Sequence, residues 1–359
     1  MRIERLETVP YAIPFREPYV TARGRLDRRE LVLVRLSAAG GPTGLGEAAP
    51  LALRGGPDLA RIEAELRDRC APLLEGAKAT VASLPGLIEA TRALGVSAQA
   101  LAGVDLALHD LIGRIEGEPV WRLLGAHGAA PVSCNATLVA AEPRDVAASA
   151  RRWVEQGFGT LKLKVGVEDD LEQLAAVRES VGPGPRIRVD ANGIWSPAQA
   201  VERIDAMARH GLELVEQPAA DLEGLARVRR GVRIPIAGDE SIVDADDARR
   251  AIELGACDVA TVKIAKAGGI AAALEVAGEI PVYVSSALDG PVGIAAGAHL
   301  AQLLPDGGAR LAHGLATGLL LADTIAARGA ELTGSELRLP DEPGLGVEID
   351  ELSLARHRL

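Results

Sequence analysis

The chain has 359 residues, of which 48% are hydrophobic and 25% charged, so it can bury a large core and has the composition of a folded soluble protein. Its net charge of -11 and aromatic content of 2% argue against a nucleic-acid surface, which needs clustered basic residues and rings that stack on bases. An anionic small-molecule partner would therefore need local positive charge within an acidic protein.

No targeting or membrane segment is expected. Residues 1–15 alternate charged and apolar side chains without the apolar core of a signal peptide, and no stretch approaches 18 uninterrupted apolar residues. Cys70, Cys134 and Cys257 are far apart and lack metal-ligand spacing, so they are interpreted as buried small side chains in a reducing compartment. We therefore expect a cytoplasmic protein that does not bind membranes.

The organisation of the chain changes near Pro131. Residues 1–130 contain strand-like MRIERLETV and LVLVRL, the loop GGPTGLGEAAP and helical runs at 58–74 and 98–117, which predict an α+β domain. Residues 131–325 repeat short apolar runs followed by amphipathic helices, a pattern typical of a parallel (β/α) barrel. The eight predicted strands are VSCNATL, GTLKLKV, RIRVD, LELVE, IPIAGD, DVATVKI, PVYVSS and ARLAHGL. Residues 326–359 are expected to return and pack on the N-terminal domain.

Three acidic residues end consecutive predicted strands: Asp190, Glu216 and Asp239. The carboxyl ends of barrel strands meet at one mouth, so these side chains are expected to converge there. Three carboxylates at one place repel unless a cation lies among them, and oxygen ligands favour magnesium, with manganese as an alternative. Any one acid alone is as readily explained as a cap of the following helix, but three in succession favour the metal site.

Lysines precede and follow these acids along the chain. Lys162 and Lys164 alternate with apolar residues, so both face the same way, and Lys263 ends the strand after Asp239. A lone lysine at a strand end is usually a solvated charge, whereas this order places cationic groups on opposite sides of a metal site. The order of lysines and acids therefore predicts a site in which a lysine transfers a proton. Lys266, three residues beyond Lys263, is interpreted as structural or secondary.

The motifs LKLK, RVDANG, VEQP, AGDES and VKIAKAGGI together resemble the enolase superfamily, in particular its muconate-lactonizing-enzyme subgroup. The resemblance implies an α/β barrel of modified TIM type with an N-terminal α+β capping domain, whose loops near 20–24 and 46–50 close over substrate. It implies the following roles: Lys164 as base, Lys162 as its Lys-x-Lys partner, Lys263 as the lysine on the opposite face, Asp190, Glu216 and Asp239 as metal ligands, and Asn192 and Glu240 as residues that orient those ligands.

The implied reaction is removal of the proton α to a carboxylate, which gives an enediolate. The segments VSSALDGPVGIAAGAHLAQLLP and AHGLATGLLLADTI resemble o-succinylbenzoate synthases of menaquinone biosynthesis, which implies syn-dehydration. Dipeptide epimerases usually carry an Asp-x-Asp element where this chain has Leu315-Ala316-Thr317. N-acylamino acid racemase, dipeptide epimerase and muconate cycloisomerase remain alternatives, and a catalytically silent metal-binding barrel is the alternative of another class.

Substrate contacts are expected from Ser286, the better candidate of the pair Ser285-Ser286, and from Arg23 in the segment TARG. His313 at the eighth strand is more often structural at such a position, so it is left outside the catalytic set. The expected partner is a small-molecule carboxylate, with neither nucleic acid nor membrane, and we expect a homo-oligomer.

Overall fold

The computed structural model describes residues 1–51, 53, 55–139, 141–305 and 311–359. Its N-terminal part is a three-stranded antiparallel sheet, ordered β1-β2-β3, covered on one face by helices. The elements are β1 (Ile3–Thr21), β2 (Gly24–Ala38), β3 (Thr43–Ala48), α1 (Leu59–Glu65), α2 (Ala71–Leu74), α3 (Leu84–Ala93), α4 (Ala98–Glu116) and α5 (Val120–Leu123). The helix predicted over 58–74 is interrupted by a π-helical turn at Leu66–Cys70.

Both faces of this sheet are buried. Along β2, Leu31 and Leu33 belong to the core shared with the barrel, whereas Val32 and Val34 belong to the core under the helices. Successive side chains of a strand point to opposite faces, so one apolar run supplies two cores. The sheet is therefore fixed between the helices and the barrel.

The second part alternates strands with helices, as the sequence predicted. The elements are β4 (Val132–Ser133), β5 (Ala136–Leu138), α6 (Pro143–Glu155), β6 (Thr160–Lys164), α7 (Asp170–Val181), β7 (Arg186–Asp190), α8 (Pro197–Ala208), β8 (Leu212–Glu216), α9 (Leu222–Gly231), β9 (Ile236–Gly238), α10 (Ala245–Leu254), β10 (Val259–Val262), α11 (Ile264–Ala267), α12 (Ile270–Glu279), β11 (Val282–Val284) and α13 (Pro291–Ala301). Strands β5 to β11 form one seven-stranded parallel sheet in chain order. The α/β-barrel fold with its capping domain is confirmed.

The eighth predicted strand, 309–315, is wrong as a regular strand. Residues 309 and 310 lie outside the described residues, and the remainder forms single parallel bridges, His313 with Cys134 on one side and Gly314 with Ser285 on the other. A Cβ at position 314 would lie 2.4 Å from the Ser285 hydroxyl oxygen, so the glycine permits this close approach. The two bridges join the edges of the seven-stranded sheet. The first predicted strand is also divided, into β4 and β5.

The last part of the chain contacts both preceding parts. Its elements are β12 (Ala326–Arg328), β13 (Glu331–Thr333), β14 (Glu336–Arg338), β15 (Glu348–Ile349) and α14 (Glu351–His357), after a 3-10 helix at Ala316–Leu320. Strand β14 pairs with β4, and α14 packs on β1, where Leu359 N donates to Pro10 O at 3.0 Å. Cys70, Cys134 and Cys257 are free and buried. Within the described ranges, no helix is long and apolar enough to span a membrane.

Candidate active site

The predicted acids and lysines lie at the carboxyl ends of neighbouring strands. Lys164 on β6 is in register with Asp190 on β7, and Asp190 is in register with Glu216 on β8. Asp239 follows β9, and Lys263 follows β10. All five side chains are buried. Short parallel strands with acid or lysine at the last position therefore bring these charges to one level of the barrel.

The lysine ammonium groups form ion pairs with the carboxylates. Lys162 Nζ is 2.9 Å from Asp190 Oδ2 and 2.6 Å from Glu216 Oε2, so it bridges two acids. Lys164 Nζ is 2.5 Å from the same Asp190 oxygen. Lys263 forms an ion pair with Asp239. The structure thus places Lys164 and Lys263 on different carboxylates.

The buried charges shift one another's pKa values in the directions that these contacts require. Burial lowers the pKa of Lys162, but the charges of Asp190 and Glu216 outweigh burial and hold it well above the usual lysine range. Burial raises the pKa of Asp190, but Lys162 and Lys164 outweigh it and bring the net pKa well below the usual range. Burial and then the charge of Asp190 raise the pKa of Glu216. In this cluster of acids and lysines, each buried charge is compensated by neighbouring charges of opposite sign.

The donor chemistry fits a hard divalent cation. Glu216 is fully buried, and its Oε1 has no hydrogen-bond partner among the described residues, so one carboxylate oxygen remains available at the site. Three buried carboxylates supply the oxygen ligands that Mg²⁺ prefers. Over the same described residues, no group of three or more His, Cys, Asp or Glu lies at metal-ligand spacing, and the Lys162 ammonium lies between Asp190 and Glu216. A cation bound there would compete with those ammonium groups for the same oxygens.

Of the two predicted orienting residues, Asn192 contacts the acids and lysines directly and Glu240 contacts Asn192. Asn192 N donates to Asp190 Oδ1 at 2.9 Å, and Lys164 Nζ donates to Asn192 Oδ1 at 3.3 Å. Asn192 Nδ2 also donates to Glu240 Oε1 at 3.0 Å. Asn192 has a φ of 49°, a left-handed conformation that asparagine tolerates better than most residues. Asn192 therefore contacts Asp190 directly, whereas Glu240 contacts Asn192, so its orienting role stays a prediction.

Sequence reasoning missed Gln217 and Tyr283. Gln217 Oε1 accepts the Asp239 backbone N–H at 2.6 Å, and Tyr283 Oη donates to Glu216 Oε2 at 2.5 Å. Lys266, predicted to be secondary, donates to the backbone carbonyl of Asp239 and lies 3.1 Å from its Oδ1. The only signal for Gln217 was its position directly after a predicted ligand, and Tyr283 had none beyond its strand.

A cavity lies above these acids and lysines, between the barrel and the capping domain. Lys164 and Lys263 line it from the barrel, and Arg23 and Pro50 line it from the capping domain. These two capping residues come from the loops predicted near 20–24 and 46–50. The cavity therefore combines the predicted base, the opposite lysine and the predicted covering loops.

The predicted substrate contacts also line this cavity. Arg23 Nε and Nη2 donate to the backbone O of Asn192 at 3.0 and 2.7 Å, so this guanidinium ties the capping hairpin to the loop after β7. Ser286 is hydrogen-bonded to the Thr317 hydroxyl, and both face the cavity. Thr317 was missed, because its segment was considered only for the acids that it lacks. His313 is buried, and its Nδ1 accepts Val284 N–H at 3.0 Å.

The fold defines an α/β-barrel protein, and its candidate active site lies at the carboxyl ends of the strands. The chain belongs to the enolase superfamily. Residues 4–125 match the family described as mandelate racemase / muconate lactonizing enzyme, N-terminal domain, and residues 145–353 match the enolase C-terminal domain-like family.

Individual relatives differ in the reaction that they catalyse. The chain is 32% identical to an L-Ala-D/L-Glu epimerase of Bacillus subtilis over 97% of each chain. It is 43% identical to an o-succinylbenzoate synthase of Thermobifida fusca over 53% of this chain and 61% of that protein. The structure of a dipeptide epimerase from Enterococcus faecalis, complexed with Mg and L-Leu-L-Tyr, superposes with a TM-score of 0.91 at 30% identity, covering 97% of this chain and 100% of that one. These relatives are enzymes, and the chain is an enzyme rather than a silent barrel.

Proposed function

We propose that the protein removes the proton α to a substrate carboxylate and catalyses a syn-dehydration of the o-succinylbenzoate synthase type. Asp190, Glu216 and Asp239 would hold Mg²⁺, with Mn²⁺ as an alternative. A bound divalent cation would supply positive charge that stabilises the developing anion and so favours loss of the α-proton. Lys164 and Lys263 both line the cavity, which supports their roles on either side of the substrate.

In this reaction the chain's own residues move one proton. Lys164 Nζ accepts the α-proton as the C–H bond breaks, then donates it to the departing hydroxyl as the C–O bond breaks, and water leaves behind a new carbon–carbon double bond. Lys263 remains cationic and stabilises the anionic intermediate. Lys162, between Asp190 and Glu216, holds these carboxylates in place.

The observation that carries the choice of substrate class is the charge of the cavity wall. Among the described residues, its lining contains arginine, lysine, serine and threonine but no aspartate or glutamate. A dipeptide with a free ammonium group would find no carboxylate there, whereas a substrate with two carboxylates and no amine would find cations and hydroxyl donors. The cavity therefore favours a dicarboxylate over a dipeptide.

N-acylamino acid racemisation is the second candidate. Such a substrate also lacks an ammonium group, and two lysines facing one cavity could exchange a proton from either side. Dipeptide epimerisation is supported by the similarity to the Bacillus subtilis enzyme over nearly the whole chain. The lack of aspartate and glutamate in the described lining of the cavity disfavours dipeptide epimerisation.

The deciding assay compares substrates with the same purified protein and magnesium. We expect turnover of the cyclohexadiene substrate of o-succinylbenzoate synthase and much weaker activity on L-Ala-D/L-Glu, followed in heavy water beside a panel of N-acyl amino acids. Rapid deuterium exchange into an N-acyl amino acid without any dehydration would overturn the synthase assignment. Fast epimerisation of the dipeptide would overturn the argument from the cavity wall.

The metal assignment has its own test, which is the Glu216→Gln variant. Replacing a charged ligand by a neutral amide should weaken Mg²⁺ binding by at least about tenfold, since loss of a residue that merely supports a ligand already costs that much. Isothermal titration of the wild type and the variant with MgCl2 measures this difference, and unchanged affinity would contradict the assignment.

A further inference from the structure

Among the described residues, Glu216 has two hydrogen-bond donors on one carboxylate oxygen and none on the other. Its Oε2 lies 2.6 Å from Lys162 Nζ and 2.5 Å from Tyr283 Oη. Its Oε1 is buried and has no partner in the described parts of the chain. Two donors on one oxygen fix the rotation of the carboxylate plane and leave the second oxygen for another ligand.

One face of the Tyr283 ring contacts a buried guanidinium group. The Arg188 guanidinium carbon lies 4.8 Å from the ring centroid, and both side chains are fully buried. Arg188 Nη1 donates to Ala312 O at 2.7 Å, and its Nε donates to Glu213 Oε2 at 2.5 Å. A buried cation over a ring face attracts it, so the stack determines where the phenol hydroxyl lies.

Apolar side chains complete the support of this ring. Leu214, Ala237 and Val259 form a small buried cluster with Tyr283 inside the barrel. The ring therefore has a cation on one face, packed neighbours around it and its hydroxyl aimed at Glu216. Because nearby strands supply these parts, the hydroxyl is rigidly positioned.

We propose that Tyr283 is a positioning residue for divalent-cation binding: its hydroxyl holds Glu216 with Oε1 directed at the cation. The assignment rests on the proposed function in that Glu216 is taken as a ligand. Tyr283 touches neither substrate nor cation, and it acts through the carboxylate. An arginine-stacked tyrosine is thereby a determinant of metal affinity.

The test is the Tyr283→Phe variant, which removes the hydroxyl and keeps the ring and its contact with Arg188. Titration of the metal-free protein with MgCl2 should show a dissociation constant raised about tenfold or more, the usual effect of removing a group that orients a ligand. Saturating MgCl2 should restore most of kcat, since the hydroxyl is not a catalytic group. This split between affinity and kcat would not arise from general loss of structure.

The matched control is Tyr11→Phe. Tyr11 is also fully buried, and its hydroxyl also donates to a carboxylate, Glu47, at 2.9 Å, but in the capping domain. This control should bind magnesium like the wild type. Equal magnesium affinity of Tyr283→Phe and wild type would overturn the proposal, as would a Tyr283→Phe protein that fails to fold while Tyr11→Phe folds.

The experiment also separates this assignment from the proposed function. A wild-type protein that gives no magnesium isotherm would overturn both. A wild type that binds magnesium and a Tyr283→Phe variant that binds it equally well would overturn only the role of Tyr283.

Discussion

Lys162 shows how one residue can compensate the charges of two buried carboxylates. Its ammonium lies between Asp190 and Glu216, and its own burial, which disfavours a charge, is outweighed by the two carboxylates. Removing one partner from such a cluster leaves an uncompensated buried charge, which is costly. We therefore expect substitutions here to differ sharply according to how many partners each residue has.

Lys164→Ala should abolish turnover and leave the fold intact. The variant removes the proposed base, while Asp190 keeps Lys162 as its partner at 2.9 Å. General acid–base groups contribute on the order of 10²- to 10⁴-fold, so kcat should fall by at least about a hundredfold. Turnover and the circular dichroism spectrum are measured beside Lys78→Ala, an exposed lysine of the capping domain. Near-wild-type turnover in Lys164→Ala would refute the base assignment.

Lys263 separates dehydration from racemisation. For dehydration, Lys263→Arg should retain more activity than Lys263→Ala, because a cation without proton transfer still stabilises the intermediate. The rescue should be partial, because a guanidinium is larger and shaped differently. For racemisation both variants should be nearly inactive with one enantiomer, because arginine does not give up its proton. Dehydration rates and deuterium incorporation from heavy water, measured on both variants, discriminate the two reactions.

At the scale of elements, β3 packs closely against α4 in the capping domain. A Cβ added at Gly46 would lie 2.0 Å from Gly103 O and 2.8 Å from Ala107 N, both backbone atoms of α4. Backbone cannot move aside as a flexible side chain can, so the glycine is required for this strand to contact the helix. The loop that follows β3 carries Pro50 to the cavity, which links this packing to the site.

Gly46→Ala should lower the free energy of unfolding by about 3 kcal/mol or more, because overpacking against rigid backbone forces the strand and helix apart. Chemical denaturation measures the change. The control is Gly86→Ala within α3, where an added Cβ meets nothing within 4 Å, so stability should stay the same or rise by about 0.5–1 kcal/mol. Equal destabilisation in both variants would show that the contact between β3 and α4 is not the cause.

At the scale of the whole molecule, buried polar groups join the capping domain to the barrel. Arg29 on β2 donates to the backbone oxygens of Pro50, Ala287 and Leu288 at 2.8 to 2.9 Å. Glu47 on β3 accepts Gly290 N–H at 2.7 Å. The loop after β11, which carries Ser286 to the cavity, is therefore held by the capping sheet.

This junction makes stability depend on pH. Burial, and then the charge of Asp289, raise the pKa of Glu47 from 4.5 to about 7. Between these values the folded protein retains a proton that the unfolded chain releases. The contribution of Glu47 to stability is therefore greatest below pH 4.5, decreases as pH rises through this window and levels off above about 7.

Glu47→Gln should remove this decrease. The wild type should lose on the order of 1–3 kcal/mol more than the variant between pH 5 and 8, from a shift of this size. Denaturant unfolding across that range measures the difference, with the exposed Glu4→Gln as control. Identical pH profiles for wild type and Glu47→Gln would show that Glu47 does not titrate in this window.

The sequence by itself determined the alternation of strands and helices and the positions of Asp190, Glu216 and Asp239 at successive strand ends. Both follow from local rules, because side chains alternate along a strand and parallel strands end at one mouth. The contact of Arg23 with the loop of Asn192 was not predictable, although both residues had been singled out. Which groups meet across the chain depends on how two folded parts pack.

Only the tertiary structure decided the contacts of Tyr283, Arg188 and Gln217, and the reduction of the eighth strand to two bridges. Tyr283 and Glu216 are 67 residues apart, and Glu47 and Gly290 are 243 apart. No periodicity within these segments predicts either contact, because the first forms when the barrel closes and the second when the capping domain packs on the barrel. Local pattern therefore specifies the elements and their charged ends, whereas closure of the sheet and docking of the capping domain select the side chains that position them.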